Sequence, residues 1–123
     1  YTWEAATTAC LDGWHLPTEE EFETLFTAVG GQSIAGQKLK FATGWTAYSG
    51  ITNEDAFAFS ALPAGYRYGN GGYNDEGYRA YFWSSTEGPR DDAYDMGLLY
   101  SYGSAYLGDS NKNYGLSVRC VKD

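Results

Sequence analysis

The side chains able to do covalent chemistry are few. The sequence has one histidine, His15, and two cysteines, Cys10 and Cys120. A serine or cysteine hydrolase needs a base beside its nucleophile. His15 lies in a short segment closed by Pro17, and no G-x-S-x-G elbow occurs. It is therefore read as a half-buried structural residue. One histidine and two distant cysteines make no spaced zinc set, and neither the phosphate-binding nor the dinucleotide glycine loop is present. Carboxylates and amides cluster twice, as Asp91, Asp92 and Asp95 and as Asn74, Asp75 and Glu76. Neighbouring residues on a strand point to opposite faces, so Asp91 and Asp92 cannot flank one glycosidic bond. Both groups carry the oxygen donors that calcium takes, but neither follows an EF-hand spacing, and a solvated acidic loop is the preferred reading. The chain is read as non-enzymatic and without a metal or other cofactor, calcium being the one ion its composition raises.

What the chain has in excess is tyrosine. Ten of its 12 tyrosines fall between Tyr66 and Tyr114. A rigid ring with one polar hydroxyl gives contact area at low entropic cost, which suits sugar faces and protein partners. Asparagine and aspartate among the tyrosines add hydrogen-bonding groups. The expected binding surface runs from Tyr94 to Tyr114 and comprises Tyr94, Asp95, Tyr100, Tyr102, Ser104, Tyr106, Asp109, Asn111 and Asn113. The competing reading is that this face packs against the loop from Gly69 to Gly77 and only holds the structure together. Trp14, Trp45 and Trp83 are assigned to the core.

These side chains need a frame, and 123 residues with 43% hydrophobic content suffice for one core, so residues 1–123 are expected to form a single domain. The net charge of −8 disfavours nucleic acid and anionic membrane surfaces as partners. No apolar run approaches the roughly 20 residues needed to span a bilayer, so no membrane insertion is expected. Cys10 and Cys120 lie near opposite ends, and the simplest reading is one disulfide tying the termini, with two reduced thiols as the alternative. A disulfide implies an oxidising compartment, hence secretion or a cell surface.

The elements follow from local pattern. Thr2 can cap a helix that carries Trp3, Ala6 and Cys10 on one stripe. Trp14-His15-Leu16 reads as extended. Thr18 and Glu21 form a capping-box pattern, and Phe22, Leu25, Phe26 and Val29 recur at helical spacing until Gly30-Gly31. After Gly36 no helical stripe returns. Phe57-Ala58-Phe59 and Tyr66-Arg67-Tyr68 are short strand candidates, Gly69 to Gly77 is a loop, and Ala80 to Ser85 is a buried strand. From Leu99 to Leu107 the alternation predicts a strand with Tyr100, Tyr102, Ser104 and Tyr106 facing out. Gly108 to Asn113 then reads as a polar turn, crowned by Asp109, Asn111 and Asn113, before a last strand with Leu116, Val118 and Cys120.

Thr2-Trp3-Glu4-Ala5-Ala6 up to Cys10, followed by His15-Leu16-Pro17-Thr18-Glu19-Glu20-Glu21-Phe22, resembles the two-helix opening of C-type-lectin-like folds. Leu16-Pro17-Thr18 is also similar to the formylglycine-generating-enzyme branch of that fold. Three further motifs, Ala61-Leu62-Pro63-Ala64-Gly65-Tyr66-Arg67, Phe82-Trp83-Ser84-Ser85-Thr86-Glu87 and Gly115-Leu116-Ser117-Val118-Arg119-Cys120-Val121, resemble the Fibrobacter succinogenes major paralogous domain. The resemblance implies an α+β C-type-lectin-like fold with two N-terminal helices, a small twisted antiparallel sheet, long loops and termini tied by a disulfide. It also implies a bacterial protein that is secreted or displayed at the cell surface, similar in some members to variable proteins diversified by retroelements. Formylglycine chemistry relies on a reactive cysteine pair, which is missing if Cys10 and Cys120 form the staple. The calcium-lectin signatures Glu-Pro-Asn and Trp-Asn-Asp are missing as well. The expected function is therefore recognition or adhesion, with an extracellular glycan or protein as partner. The alternative is a structural, scaffolding module packed against neighbouring domains of a longer chain.

Overall fold

The computed structural model describes residues 1–123. In chain order the elements are α1 (Trp3–Ala6), β1 (Trp14–His15), α2 (Glu19–Ala28), α3 (Gln32–Leu39), β2 (Tyr66–Arg67), β3 (Tyr73–Asn74), β4 (Arg79–Glu87), β5 (Asp92–Leu99), β6 (Ala105–Asn111) and β7 (Val121–Lys122). This is an α+β architecture with three small antiparallel sheets: β1 with β7, β2 with β3, and a central sheet in the order β4-β5-β6. Cys10 and Cys120 are bonded, with Cα atoms 5.8 Å apart.

The capping box forms as expected. Thr18 Oγ1 accepts from the Glu21 amide, and Glu21 Oε1 accepts from the Thr18 amide, so two otherwise unpaired donors at the start of α2 are satisfied. From that start Phe22 and Phe26 fall on the buried face, and Val29 closes it. They meet Ala80, Phe82, Met96, Leu98 and Ala105 of the central sheet. Burial of each such phenylalanine contributes about 1.5–3 kcal/mol. The opposite face of the sheet carries a second cluster, in which Trp83 packs with Ala6, Leu16, Ala93 and Leu116.

Strand register decides which side chains share a face. Phe82 lies opposite Met96, and Met96 opposite Leu107, on the helix side. One residue along, Tyr81 lies opposite Gly97 and Gly97 opposite Tyr106, while Trp83, Asp95 and Gly108 form the next rung. Alternation therefore sends Tyr81, Trp83, Asp95 and Tyr106 to the side away from α2.

Several expectations are corrected. There are three helices, not two: α3 follows Gly31 directly. Its apolar stripe is short, only Ala35 and Leu39, both buried in the core, and close backbone approach fastens it further, with the Gln37 amide donating to the Gly103 carbonyl. The helix at the N-terminus is a single turn that ends before Cys10, although Trp3, Ala6 and Cys10 still meet in one cluster. Phe57-Ala58-Phe59 is no strand, since Ala58 takes a left-handed φ of 56°. Part of the Gly69–Gly77 loop is strand β3.

The largest correction concerns the last hairpin. Its strands are β5 and β6, so residues 100–104 form the turn and residues 108–111, expected as a turn, are strand. The residues around Leu116 and Val118 join the sheets only through isolated bridges, Arg67 with Gly115 and Phe82 with Ser117. Buried Lys40 accounts for the misplaced turn. Its Nζ donates to the carbonyls of Leu99 and Tyr102 at 2.7 and 3.0 Å and lies 5.2 Å from the Trp45 ring centre. No carboxylate pairs with it, and burial pushes its ammonium down to about 8. Trp45 and Trp83 are core as assigned, but Trp14 is 45% exposed.

Candidate functional site

Between the central sheet and the segments that cross its far side lies a hollow of about 270 Å³. Tyr66, Tyr68, Tyr81, Tyr106 and Tyr114 line it, together with Asp95, Gly108, Asp109, Ser110 and Leu116. Four different parts of the chain contribute the tyrosines, and β5 contributes Asp95. Tyr66 sits in β2 and Tyr68 two residues on, Tyr81 in β4, Tyr106 in β6, and Tyr114 in the segment after β6.

The rings hold one another in place. Tyr66 meets Tyr68 and Tyr81 edge to face, at centroid distances of 5.2 and 5.5 Å, and stacks on Tyr114 at 6.1 Å. Tyr68 meets Tyr114 at 5.4 Å, and Tyr81 meets Tyr106 at 6.4 Å. Such pairs contribute about 0.5–1.5 kcal/mol each beyond the area they bury. Hydroxyl contacts fix the ring tips: Tyr66 Oη donates to Tyr68 Oη at 3.1 Å, and Arg79 Nη1 donates to Tyr81 Oη at 3.0 Å. The bond to Tyr68 holds the Tyr66 hydroxyl protonated well above the ordinary tyrosine range, and burial does the same for Tyr106.

At the base stands Asp95, only 1% exposed. Ser110 Oγ donates to its Oδ2 at 2.6 Å. That is the only side-chain hydrogen bond it receives, and no lysine, arginine or histidine pairs with it. Burial raises its carboxyl from 3.8 to about 6, against the opposing effect of Ser110. The register explains why it is here. The glycine on its β6 neighbour, Gly108, leaves Oδ1 free of an overlying side chain: a Cβ at 108 would come within 3.8 Å of that oxygen. The constraint at Gly97, one rung on, is stricter: a Cβ at 108 would make ordinary contact, but one at 97 would lie 2.4 Å from the Tyr106 ring.

Of the expected surface, the structure brings Asp95, Tyr106 and Asp109 to this hollow and disperses the rest. Tyr100 packs edge to face with Tyr48 and Tyr78, on another side of the hairpin turn. Tyr102 is exposed in that turn, and Ser104 abuts α3 at Gly36. Tyr94 lies on the alternate face of β5 from Asp95, its carbonyl accepting from Ser84. Asn111 and Asn113 line a separate hollow with Thr2, Trp3, Glu4, Asp91 and Lys112. Tyr66, Tyr68 and Tyr81 lie outside the expected surface, and Tyr114 stands at its limit without being named among its contacts. The signal was there in the i, i+2 pair Tyr66 and Tyr68, and in the run Ala93-Asp95-Gly97, which alternates with Tyr94-Met96-Leu98.

The other reactive side chains are engaged. His15 Nε2 faces the Glu21 carboxylate at 2.9 Å and its Nδ1 faces Asp123 at 2.6 Å. The Glu21 and then the Asp123 hydrogen bonds raise its pKa, and the same contact lowers that of Glu21. The two carboxylate clusters do not converge: Asp75 pairs with Arg79 at 3.4 Å, while Asp91 and Asp95 line different hollows. No three histidine, cysteine, aspartate or glutamate side chains are grouped to hold a metal ion. No helix is long and apolar enough to cross a membrane.

No curated protein and no solved structure matches the chain. The Fibrobacter succinogenes major domain matches residues 1–122, nearly the full length. The chain belongs to the Fibrobacter succinogenes major domain family.

Proposed function

We propose that the chain is a non-catalytic recognition module with a C-type-lectin-like fold, secreted or held at a bacterial cell surface, that takes a glycan or protein ligand in the tyrosine hollow. The observation that carries this reading is a rigid set of five tyrosines around a buried carboxylate without a charged partner. Native cores rarely leave such a group uncompensated unless it serves a ligand. The bonded cysteines support an oxidising compartment and leave no thiol for oxidation chemistry. The occupation of both His15 nitrogens by carboxylates supports a non-catalytic role.

A scaffolding role has one observation in its favour. A mainly apolar groove of about 410 Å³ runs between Trp14, Phe22, Leu25, Phe59 and Val121, on a different side of the molecule from the tyrosines. A neighbouring domain of a longer chain would cover it. The two readings separate on a glycan and cell-surface-protein array probed with wild type, Tyr68→Ala with Tyr114→Ala, and Tyr102→Ala as a surface control. Recognition predicts that the double variant loses its array signals while Tyr102→Ala keeps them. A wild type that captures nothing leaves the scaffolding role.

A further inference from the structure

We infer that the group recognised in the tyrosine hollow is an organic ammonium, with the rings of Tyr66, Tyr81, Tyr106 and Tyr114 as walls and Asp95 as counter-charge. The inference rests on the recognition role proposed above and adds the chemical class of the ligand.

Three features converge on a cation. Asp95 is buried, is bonded only by Ser110 through Oδ2, and lines the hollow with Oδ1 unpartnered. A buried carboxylate is stabilised most by an opposite charge brought into contact with it. The surrounding tyrosines present π-faces and hydroxyl oxygens, both of which attract a cation. Asp109 borders the hollow, but it is exposed and pairs with Tyr94 on the other face of the sheet, so it acts on the space through its field, which raises the Asp95 carboxyl. An anionic ligand would meet both. A neutral sugar would leave Asp95 uncompensated.

The one cation nearby is held elsewhere. Arg79 Nε lies 3.4 Å from Asp75 and its Nη1 is bonded to Tyr81 Oη, so its charge sits at the edge of the tyrosine cluster and does not reach Asp95. A hollow of about 270 Å³ admits an ammonium head with a few carbons attached. A primary amine can donate to Asp95 Oδ1 and to tyrosine hydroxyls at once.

Binding should also titrate. The groups facing Asp95 are Ser110, Asp109, Tyr81 and Tyr106, with Arg79 beyond Tyr81. A bound cation favours the carboxylate, so affinity should fall as pH drops below about 6 and Asp95 takes a proton.

The test is an NMR titration of the whole chain with n-butylammonium, 1-butanol, a methyl glycoside and Nα-acetyl-lysine amide, following tyrosine ring signals and the Asp95 carboxyl carbon. The expected result is saturable shifts at Tyr66, Tyr81, Tyr106 and Tyr114 with n-butylammonium and none with 1-butanol. The Asp95 titration should move to lower pH on binding, and Asp95→Asn should weaken affinity roughly tenfold or more. That substitution keeps the shape and hydrogen bonding of the site, and ring signals of the free variant verify that the hollow survives. Tighter binding of the lysine amide than of butylammonium would assign the ammonium to a protein ligand, and equal binding would assign it to a small amine. Methyl glycoside binding that is unchanged in Asp95→Asn, without any ammonium response, overturns the ammonium inference and leaves recognition standing. Silence of the hollow toward every probe overturns it as well, with the array deciding recognition separately.

Discussion

At the residue scale, Asp95 has the energetics of a group kept for use and not for stability. Its folded-state pKa of about 6 exceeds the value of 3.8 it would have in an open chain. The folded state therefore binds the proton more tightly, so the stability this group contributes is fully present below about 4 and lost as pH rises through about 6. At pH 7 the ionised form costs up to about 3 kcal/mol, the equivalent of a shift of some two units. Asp95→Asn removes that cost and retains the bond with Ser110. The variant should be more stable than wild type at pH 7 by about 1–3 kcal/mol in chemical denaturation. The gain should shrink to nothing near pH 4. A variant less stable than wild type at neutral pH would mean that Asp95 is a structural anchor.

At the element scale, two glycines hold the architecture for different reasons. A Cβ at Gly36, inside α3, would lie 2.3 Å from the Ser104 carbonyl oxygen and 2.8 Å from that of Gly103. Backbone cannot swing aside, so Gly36→Ala must part α3 from the hairpin turn. The roughly 1 kcal/mol that alanine adds in helix propensity does not offset this. At Gly97 the obstacle is the Tyr106 ring, which can rotate outward. Gly97→Ala should therefore cost less stability, about 1–3 kcal/mol, and should show its effect in displaced Tyr106 ring signals and lost ligand binding. A melt in which Gly97→Ala is the more damaging of the two would contradict this division. The same contacts explain what could be read in advance. α2 was legible because its cap, stripe and stop are all local. α3 was not, because its internal signal is only the pair Ala35 and Leu39, and the rest of what fixes it is the approach of Gly36 and Gln37 to a turn some 65 residues later. The hairpin was misplaced for a related reason: the alternation from Leu99 to Leu107 is real in the sequence, but the ammonium of Lys40 holds the chain there as a turn. Of the expected residues, Tyr106 lies beside Asp95 in the hollow because the β6 register puts both on one face of the sheet.

At the scale of the whole molecule, the ends of the chain are fastened to each other in four ways. The disulfide closes a separation of 110 residues, β1 pairs with β7, the Tyr1 backbone nitrogen donates to the Leu116 carbonyl, and His15 bridges Glu21 and Asp123. In the chain-entropy picture, replacing both cysteines by serine costs about 5 kcal/mol, a large share of the stability of a domain this size. The His15 bridge is weaker and exposed, but it makes the fastening respond to pH. Its folded pKa is raised, so its contribution is fully present below the ordinary value of 6.5 and lost as pH rises through the folded value. Glu21 is lowered, so its contribution is present above 4.5 and disappears on acidification through the folded value. Both partners are charged between those limits, and Asp95 favours the acid side of the same interval. The folded chain should therefore be more stable at pH 5 than at pH 8, measured as denaturation midpoints across that range. His15→Gln should flatten the profile above pH 6.5 and leave the lower part intact, while Asp95→Asn should do the reverse. A wild-type profile that rises from pH 5 to pH 8 would mean that neither group governs how this domain responds to the acidity of its surroundings.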